Sequence, residues 1–519
     1  MTARRAYALV DGMRVHYRIQ GSGPVVMLFH DSPNSSWLML PAMAALAARG
    51  FTAIAPDTPG YGLSDRFPGD PAEVDLHRVA AHFHRLREAL GLGRVGVYGY
   101  HTGAAIAAIF AGQRPDAVAG LALNGYPLFT PAERADILAG YLPRFEPAWD
   151  GTHLAWLWAR MREQTIFFPW HRADAAHRMV YDVPPPEATQ ASMNDFLRAG
   201  DWYRVVYGAV FGMDCAPPLA RLACPTLVCA AAADPLAAHL PRLETPLPPG
   251  SAVERLETPV AALERSLDFL AGHPGDPAGE PLPTAAPPGI SPLFLGPPGA
   301  QLHGLWSPGE GRPVLLLHGA GGSARTMAAV AARLAERRPV LALSLPGHGE
   351  SDPPAGPVGI EGWAATAGAA LDGLGIGEAD ALTWGEGALV ARSLPAGRVR
   401  RLVALEVPQA GDVAEAERLA PSVAPRWDGA HVLTAWHMVR LGTLFRPWYR
   451  TDRAHARTDA PDPDTARIHL EVCELLKAGD RYGEALRAGL AWTGERPEAV
   501  TLPHDPAAAA AEVLSSLSP

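Results

Sequence analysis

The chain has 519 residues, 48% of them hydrophobic and 19% charged, with a formal net charge of −10. That length exceeds what one hydrophobic core serves and implies two or three globular domains, while a pI near 6.0 leaves no basic footprint for nucleic acid. No apolar run reaches the roughly 18–20 residues that cross a bilayer. The start, Met1-Thr-Ala-Arg-Arg-Ala-Tyr7, lacks the apolar core of a signal peptide, so a cytoplasmic protein without membrane contact is expected. Cys215, Cys224, Cys229 and Cys473 are too few and too scattered for a disulfide framework or a zinc knuckle and read as small buried hydrophobes.

Residues 7–20 alternate through two short strands with Asp11-Gly12 as the hairpin signal between them. Val25-Val-Met-Leu-Phe-His30 is a continuous apolar strand, of the kind buried on both faces of a parallel sheet. It leads into Asp31-Ser-Pro-Asn-Ser-Ser36 and a helix over about 37–48. A strand at 51–56 ends in the glycine-punctuated loop Asp57-Thr-Pro-Gly-Tyr-Gly-Leu-Ser-Asp65, and a helix over about 71–90 comes after it. The next strand runs into Gly99-Tyr100-His101-Thr102-Gly103 and an Ala-rich helix. Leu121–Asn124 is a further strand. From about 129 to 213 the β-α alternation gives way to aromatic-rich helical segments, an insertion placed to cap the strand ends where ligands bind. Alternation resumes at Pro225–Cys229 and leads through Asp234-Pro235 to a last helix over about 259–270.

Residues 272–288 hold little but Pro, Gly and Ala and read as a semi-rigid linker. Beyond this linker the chain repeats the pattern of its first half. Pro313-Val-Leu-Leu-Leu-His318 restates the strand ending at His30, Leu345–Asp352 restates Thr58–Asp65, and Thr383-Trp-Gly-Glu-Gly387 falls where Gly99–Gly103 stood. Trp427-Asp-Gly-x-His431 and Phe445-x-Pro-Trp-x-Arg450 match Trp149-Asp-Gly-x-His153 and Phe167-x-Pro-Trp-x-Arg172 at identical spacing. The chain is a tandem duplication. The division expected is a first domain over 1–271 with its cap at about 129–213, the linker, and a degenerate, inactive second domain over 289–519 with its cap at about 409–490.

Gly99-Tyr100-His101-Thr102-Gly103 has the layout of a nucleophile elbow, G-x-S-x-G, with histidine where the serine belongs. With His30-x-x-Pro33 and Asp57-x-Pro-Gly-Tyr-Gly-x-Ser-Asp65 in the right order, it makes both halves resemble the α/β-hydrolase fold. The resemblance covers nearly the whole chain outside the linker. It implies two doubly wound, mostly parallel sheets, each with a helical cap. The first half is most similar to the branch containing haloalkane dehalogenases and epoxide hydrolases.

The resemblance also implies a nucleophile, an acid after the sixth or seventh strand and a late histidine. The first half offers His101 at the elbow and Asp234 as the acid, but no late histidine; Ala252 best matches its place. In the second half Gly385 stands at the nucleophile position, Thr383 replaces the first elbow glycine, Ser344 replaces Asp57, and His504 is a candidate relic. The segment after Asp480 is too short for a full seventh strand with its acid. By the same resemblance the backbone N–H groups of Ser32 and Thr102 are the oxyanion donors.

Two functions are compatible with these residues. In one, His101 acts as a general base, because an imidazole with a pKa near 6.5 accepts a proton at neutral pH unaided. It would activate water against an ester, lactone or C–C bond, or abstract a substrate proton in lyase or isomerase chemistry, with Nε2 facing the reacting atom. His30, Asp31, Tyr100, Asn124, Trp149, His153 and Trp170 are the candidate substrate contacts, and the aromatic cap implies a small, mostly apolar or aromatic organic substrate. Trp149, His153 and Trp170 recur in the half without a nucleophile, which favours a cap-shaping role; Asp31, Asp57, Gly99, His101, Asn124 and Asp234 do not recur. In the other function both halves are non-catalytic and bind or scaffold. No cofactor or metal is expected, and a homo-oligomer is compatible with either reading.

Overall fold

The computed structural model describes residues 2–279 and 289–500, except 355, 357–358, 412 and 459–462, together with 512 and 515. The chain divides into two compact units, Met1–Glu146 with Trp156–Ala285, and Pro147–Ala155 with Ala286–Pro519. The segment at 147–155 therefore groups with the second unit.

The first unit is built on β1 (Arg4–Val10), β2 (Met13–Gly21), β3 (Val25–Phe29), β4 (Thr52–Pro56), β5 (Val95–Tyr100), β6 (Val118–Asn124), β7 (Thr226–Ala231) and β8 (Ala252–Leu256). Their order in the sheet is β1-β2-β4-β3-β5-β6-β7-β8. Only β2 runs against its neighbours β1 and β4. Every residue of β3, β4, β6 and β7 is buried, as continuous apolar runs between two helical layers must be.

Those layers include α1 (Leu40–Ala48), α2 (Leu76–Ala89) and α3 (Thr102–Gln113). The helix expected over 71–90 is shorter, because Asp75 is extended and its carboxylate accepts the Arg78 N–H as an N-cap. Helix α3 is apolar all round and almost wholly buried, which its run of Ala and Gly permits. Between β6 and β7 lie α4 (Pro131–Gly140), α5 (Thr152–Ile166), α6 (Pro186–Ala199), α7 (Tyr203–Gly212) and α8 (Ala216–Leu219); α9 (Pro259–Ala271) comes after β8. The cap is tied down at its base by Arg242, whose guanidinium donates to both Glu133 oxygens at 2.7 and 2.8 Å and to Leu128 O.

The described part of the 272–288 linker is docked on the first unit. Asp276 accepts the Val25 N–H through its carbonyl and the Arg94 N–H through its carboxylate.

In the second unit β9 (Ser291–Leu295), β10 (Leu302–Ser307), β11 (Val314–Leu317), β12 (Val340–Leu343), β13 (Ala379–Trp384) and β14 (Val399–Leu405) reproduce the first six strands in the order β14-β13-β11-β12-β10-β9. Helices α10 (Ala328–Ala335), α11 (Ile360–Gly373) and α12 (Glu386–Arg392) pack on this sheet. The region after β14 holds α13 (Val413–Leu419), α14 (Ala430–Gly442), α15 (Thr465–Ala478) and α16 (Arg481–Ala491). Where the first unit has β7, a single parallel bridge joins Ala404 to Ala499 among the described residues. His504 lies outside the described residues.

Candidate active site

Strand β5 ends at Tyr100 and α3 begins at Thr102, so His101 alone makes the turn, at φ 50 and ψ −111. Left-handed backbone of this kind strains a residue with a Cβ, by about 1–3 kcal/mol. The flanking glycines are required by space: a Cβ on Gly99 would come 2.4 Å from Gly103 O, and one on Gly103 would come 2.0 Å from Phe29 O. The His101 N–H donates to Asn124 O at 3.0 Å, which pins the turn to the end of β6.

The imidazole meets Asp234, which stands just beyond β7. His101 Nε2 lies 2.8 Å from Asp234 Oδ2, while Asp234 Oδ1 accepts the Leu236 N–H at 2.8 Å. The carboxylate therefore serves as an acid partner and a helix cap at once. Burial pushes the His101 pKa down, but the charge and hydrogen bond of Asp234, reinforced by Asp31, outweigh it and hold the pKa above the usual imidazole value. Asp234 responds in kind: burial would raise its pKa, and the neighbouring His101 holds it below the ordinary carboxyl value.

Because Nε2 faces a carboxylate, neutral His101 carries its proton there and keeps its lone pair on Nδ1. Among the described residues Nδ1 has no hydrogen-bond partner, and the side chain is 29% exposed. The nitrogen left without a partner is thus Nδ1, and the expectation that Nε2 faces the reacting atom is corrected by the position of Asp234.

Space for the pair comes from Gly125, at φ 67, where a Cβ would lie 2.3 Å from His101 Cδ2 and 3.3 Å from Asp234 Oδ2. Sequence reading missed this residue, although Asn-Gly directly after a buried strand marked the position.

The remaining candidates separate by position. Tyr100 stacks on the His101 ring with centroids 4.0 Å apart. Asn124 holds the turn through its carbonyl and donates from Nδ2 to the Tyr98 hydroxyl at 3.1 Å. Asp31 acts on His101 through its charge and accepts from Asn34 Nδ2 at 2.8 Å; burial pushes its carboxyl pKa up. Thr102 opens α3, where helix geometry leaves the first N–H groups without intrahelical partners, and Ser32 sits directly after Asp31 in the loop beyond β3. His30 is fully engaged: Nδ1–H donates to Asp31 O at 2.7 Å and Nε2 accepts the Thr58 N–H at 3.0 Å. It braces two loops and has no nitrogen left for a substrate. His318 does the same in the second unit, between Gly319 O and the Leu345 N–H.

Asp57 is also structural, pairing with His16 Nδ1 at 2.8 Å and accepting the Ser36 and Leu63 N–H groups. Trp170 lies in the first unit's cap and donates to Tyr141 O at 3.0 Å. Trp149 and His153 sit in the segment grouped with the second unit. Trp149 is 67% exposed. His153 Nδ1 accepts the Ala148 N–H, as His431 accepts from Arg426, and His153 Nε2 pairs with His469 Nδ1 at 3.0 Å. Ala252 is not the seat of a lost histidine. It begins β8 opposite Leu227, whereas Leu256 at the other end of the strand pairs with Ala231 beside the site. Only Glu257 and Thr258 separate β8 from α9, so the loop that would carry a late histidine is absent.

The second elbow keeps the backbone and fills the hole. Gly385 turns at φ 51 and ψ −127. Beside it the buried Glu386 carboxylate accepts the Ala320 N–H at 2.6 Å and a bond from its own backbone N–H. Ala320 and Glu386 are the counterparts of Ser32 and Thr102. Burial pushes the Glu386 pKa up. Among the described residues no cluster could hold a metal ion, and no helix is long and apolar enough to cross a membrane.

Comparison with known proteins agrees with this architecture. A family model described as alpha/beta hydrolase fold matches residues 24–239, and one described as alpha/beta hydrolase family matches residues 314–516. Haloalkane dehalogenase 2 of Mycobacterium tuberculosis is 38% identical over 121 residues, which is 23% of this chain and 41% of that protein. Epoxide hydrolase 2 of Siraitia grosvenorii is 32% identical over 111 residues, 21% of this chain and 35% of that protein. The matched stretch thus spans less than half the length of these curated relatives. Among solved structures, epoxide hydrolase A of Mycobacterium thermoresistibile is similar at 22% identity and a TM-score of 0.39, covering 52% of this chain and 99% of that one. Taken with the sheet order and the two elbows, the two family matches show that the chain belongs to the α/β-hydrolase fold family and carries that fold twice in tandem.

Proposed function

We propose that the first unit is an enzyme in which His101, oriented by Asp234, is the general base acting on a small organic substrate. The observation that carries this reading is the 2.8 Å contact between His101 Nε2 and Asp234 Oδ2, made by a histidine held in left-handed backbone. A residue that only filled the turn would relax toward glycine, as Gly385 has. The dyad fixes the tautomer and leaves Nδ1 to take a proton, the role that carboxylate-oriented histidines play elsewhere. A base so placed supplies about 10²–10⁴-fold in rate. In this reading the Ser32 and Thr102 N–H groups stabilise negative charge on an oxygen, either of a tetrahedral intermediate or of an enolate. The base serves water attack on an ester, lactone or C–C bond and proton removal from carbon equally. An acyl-serine route is not part of the reading, since the elbow holds no serine and the chain has no loop for the late histidine. The second unit, with glycine at its elbow and Glu386 in its donor site, is proposed to be inactive.

The test is a panel of small aromatic esters, lactones and ketones incubated in D₂O and monitored by NMR. His101-dependent release of carboxylate identifies hydrolysis, and His101-dependent deuterium entry at carbon identifies proton abstraction. Turnover that survives His101→Ala would overturn the proposal.

A further inference from the structure

The cap of the first unit contains a cation with no anion. Arg160, on α5, is 2% exposed. Its Nη1 donates to Gln164 Oε1 at 3.0 Å, but among the described residues Nε and Nη2 have no acceptor and no carboxylate pairs with the guanidinium. The guanidinium carbon lies 5.2–5.8 Å from the ring centres of Phe196, Trp170, Tyr203 and Tyr141. Rings so placed return part of the cost of desolvating the ion but leave its hydrogen-bond donors unmet.

The internal repeat shows that packing does not require this cation. The register fixed by His153 with His431 and by Trp170 with Trp448 sets Met438 opposite Arg160, Leu419 opposite Tyr141 and Gly442 opposite Gln164. One element of the surrounding framework is shared by both units. Tyr203 and Tyr482 each donate to a proline carbonyl, of Pro143 and Pro421, and Tyr482 also meets the Met438 sulfur at 3.5 Å. A methionine fills the space that the first unit gives to a guanidinium. The first unit therefore keeps an unpaired buried charge that its own twin does without.

The charge is within reach of the dyad's surroundings. Tyr141 and Tyr207, with hydroxyls 3.2 Å apart, feel both the Arg160 cation and the Asp31 carboxylate next to His101. We propose that Arg160 is a binding group for the carboxylate of a small aromatic ligand, received among the rings around it in the first unit's cap through its buried, unpartnered Nε and Nη2 donors. A carboxylate accepts from two such donors in parallel, and the rings take the apolar remainder. This deepens the reading above by giving the substrate an acidic group, and it rests on that reading only for the step from ligand to substrate.

The experiment is isothermal titration of the full-length chain with benzoate and with neutral benzamide. Wild type is expected to prefer benzoate by about tenfold or more, the worth of a hydrogen-bonded charge. Arg160→Met, the residue the second unit uses, is expected to erase the preference without loss of thermal stability, since an apolar side chain replaces an unpaired ion. Arg160→Lys is expected to keep part of it, because an ammonium lacks the guanidinium fork. His101→Ala is expected to retain it, which separates failure of this inference from failure of the general-base reading. No preference in wild type, a preference that survives Arg160→Met, or one lost in His101→Ala with Arg160 intact would overturn the proposal. Should Arg160→Met not fold, an undiminished preference in Arg160→Lys would do so.

Discussion

The two elbows can be laid over one another residue by residue. His101 turns at φ 50 and ψ −111 and Gly385 at φ 51 and ψ −127; each donates its N–H to the last carbonyl of the neighbouring strand, Asn124 or Leu405. The residue directly after that carbonyl also has positive φ in both units: Gly125, at φ 67, in the first and Glu406, at φ 52, in the second. A side chain is thus tolerated there by the backbone, and glycine is needed only where an imidazole and its aspartate occupy the adjoining space. The elbow conformation is therefore a property of the fold and persists with no side chain at the turn. What marks the first unit is the set of side chains that the fold alone would not select: a strained histidine, a buried partner for it, and a glycine that makes room.

The sharpest way to break the comparison is to remove each elbow's distinctive group in turn. His101→Ala is expected to lower turnover by about 10³-fold, within the range for a lost general base, whereas Glu386→Gln is expected to leave turnover within about twofold, because it removes no group that acts in the transition state. Equal losses in steady-state assays would show that the units share the chemistry.

Gly125→Ala sets a methyl group against His101 Cδ2. Displacing the dyad by such an amount is expected to cost about 10²-fold in kcat/KM while circular dichroism shows the fold retained. Full activity would mean that the geometry of the dyad is immaterial.

Gly385→Ala would restore to the second elbow the strain that His101 bears. A loss of about 1–2 kcal/mol is expected from the second unit's transition in urea denaturation, and an unchanged midpoint would refute the strain argument for both elbows.

A smaller contrast lies where α6 and α15 meet the loops after β3 and β11. Asp195 accepts the Trp37 Nε1–H at 2.5 Å, and burial pushes its carboxyl pKa up to about 7. Its counterpart Glu474 is paired with Arg325 at 2.9 Å and Lys477 at 2.8 Å. A carboxyl whose folded pKa is raised favours the folded state while protonated, and that stability is lost as pH climbs from the unfolded value near 4 through about 7. Asp195→Asn is expected to flatten this decline in the first unit's thermal transition. A decline unchanged by the substitution would assign it to another group.

Much of this was legible in the sequence because the signals are local. Buried strands read as apolar runs, the elbow as glycines at fixed spacing, and the duplication as repeated motifs. Long-range pairings were not legible. Asp57 looked functional because it does not recur, yet its partner is His16, on a strand distant in sequence. The match of Ala252 to a lost histidine failed because Ala252 opens β8, at the end of the strand away from Asp234. Trp149 and His153 carried a motif whose grouping with the second unit no spacing could announce. The choice of Nδ1 over Nε2 depends on which side of the ring Asp234 approaches, and only coordinates give that.

The central claim is that Asp234 makes His101 a base whose free nitrogen is Nδ1. An NMR titration of the His101 ring in wild type and in Asp234→Asn tests it most directly. The account predicts a pKa above the ordinary value near 6.5, an Nε2–H tautomer once neutral, and a fall in pKa when the aspartate charge is removed. An unshifted or lowered pKa in wild type, or one indifferent to Asp234→Asn, would contradict it.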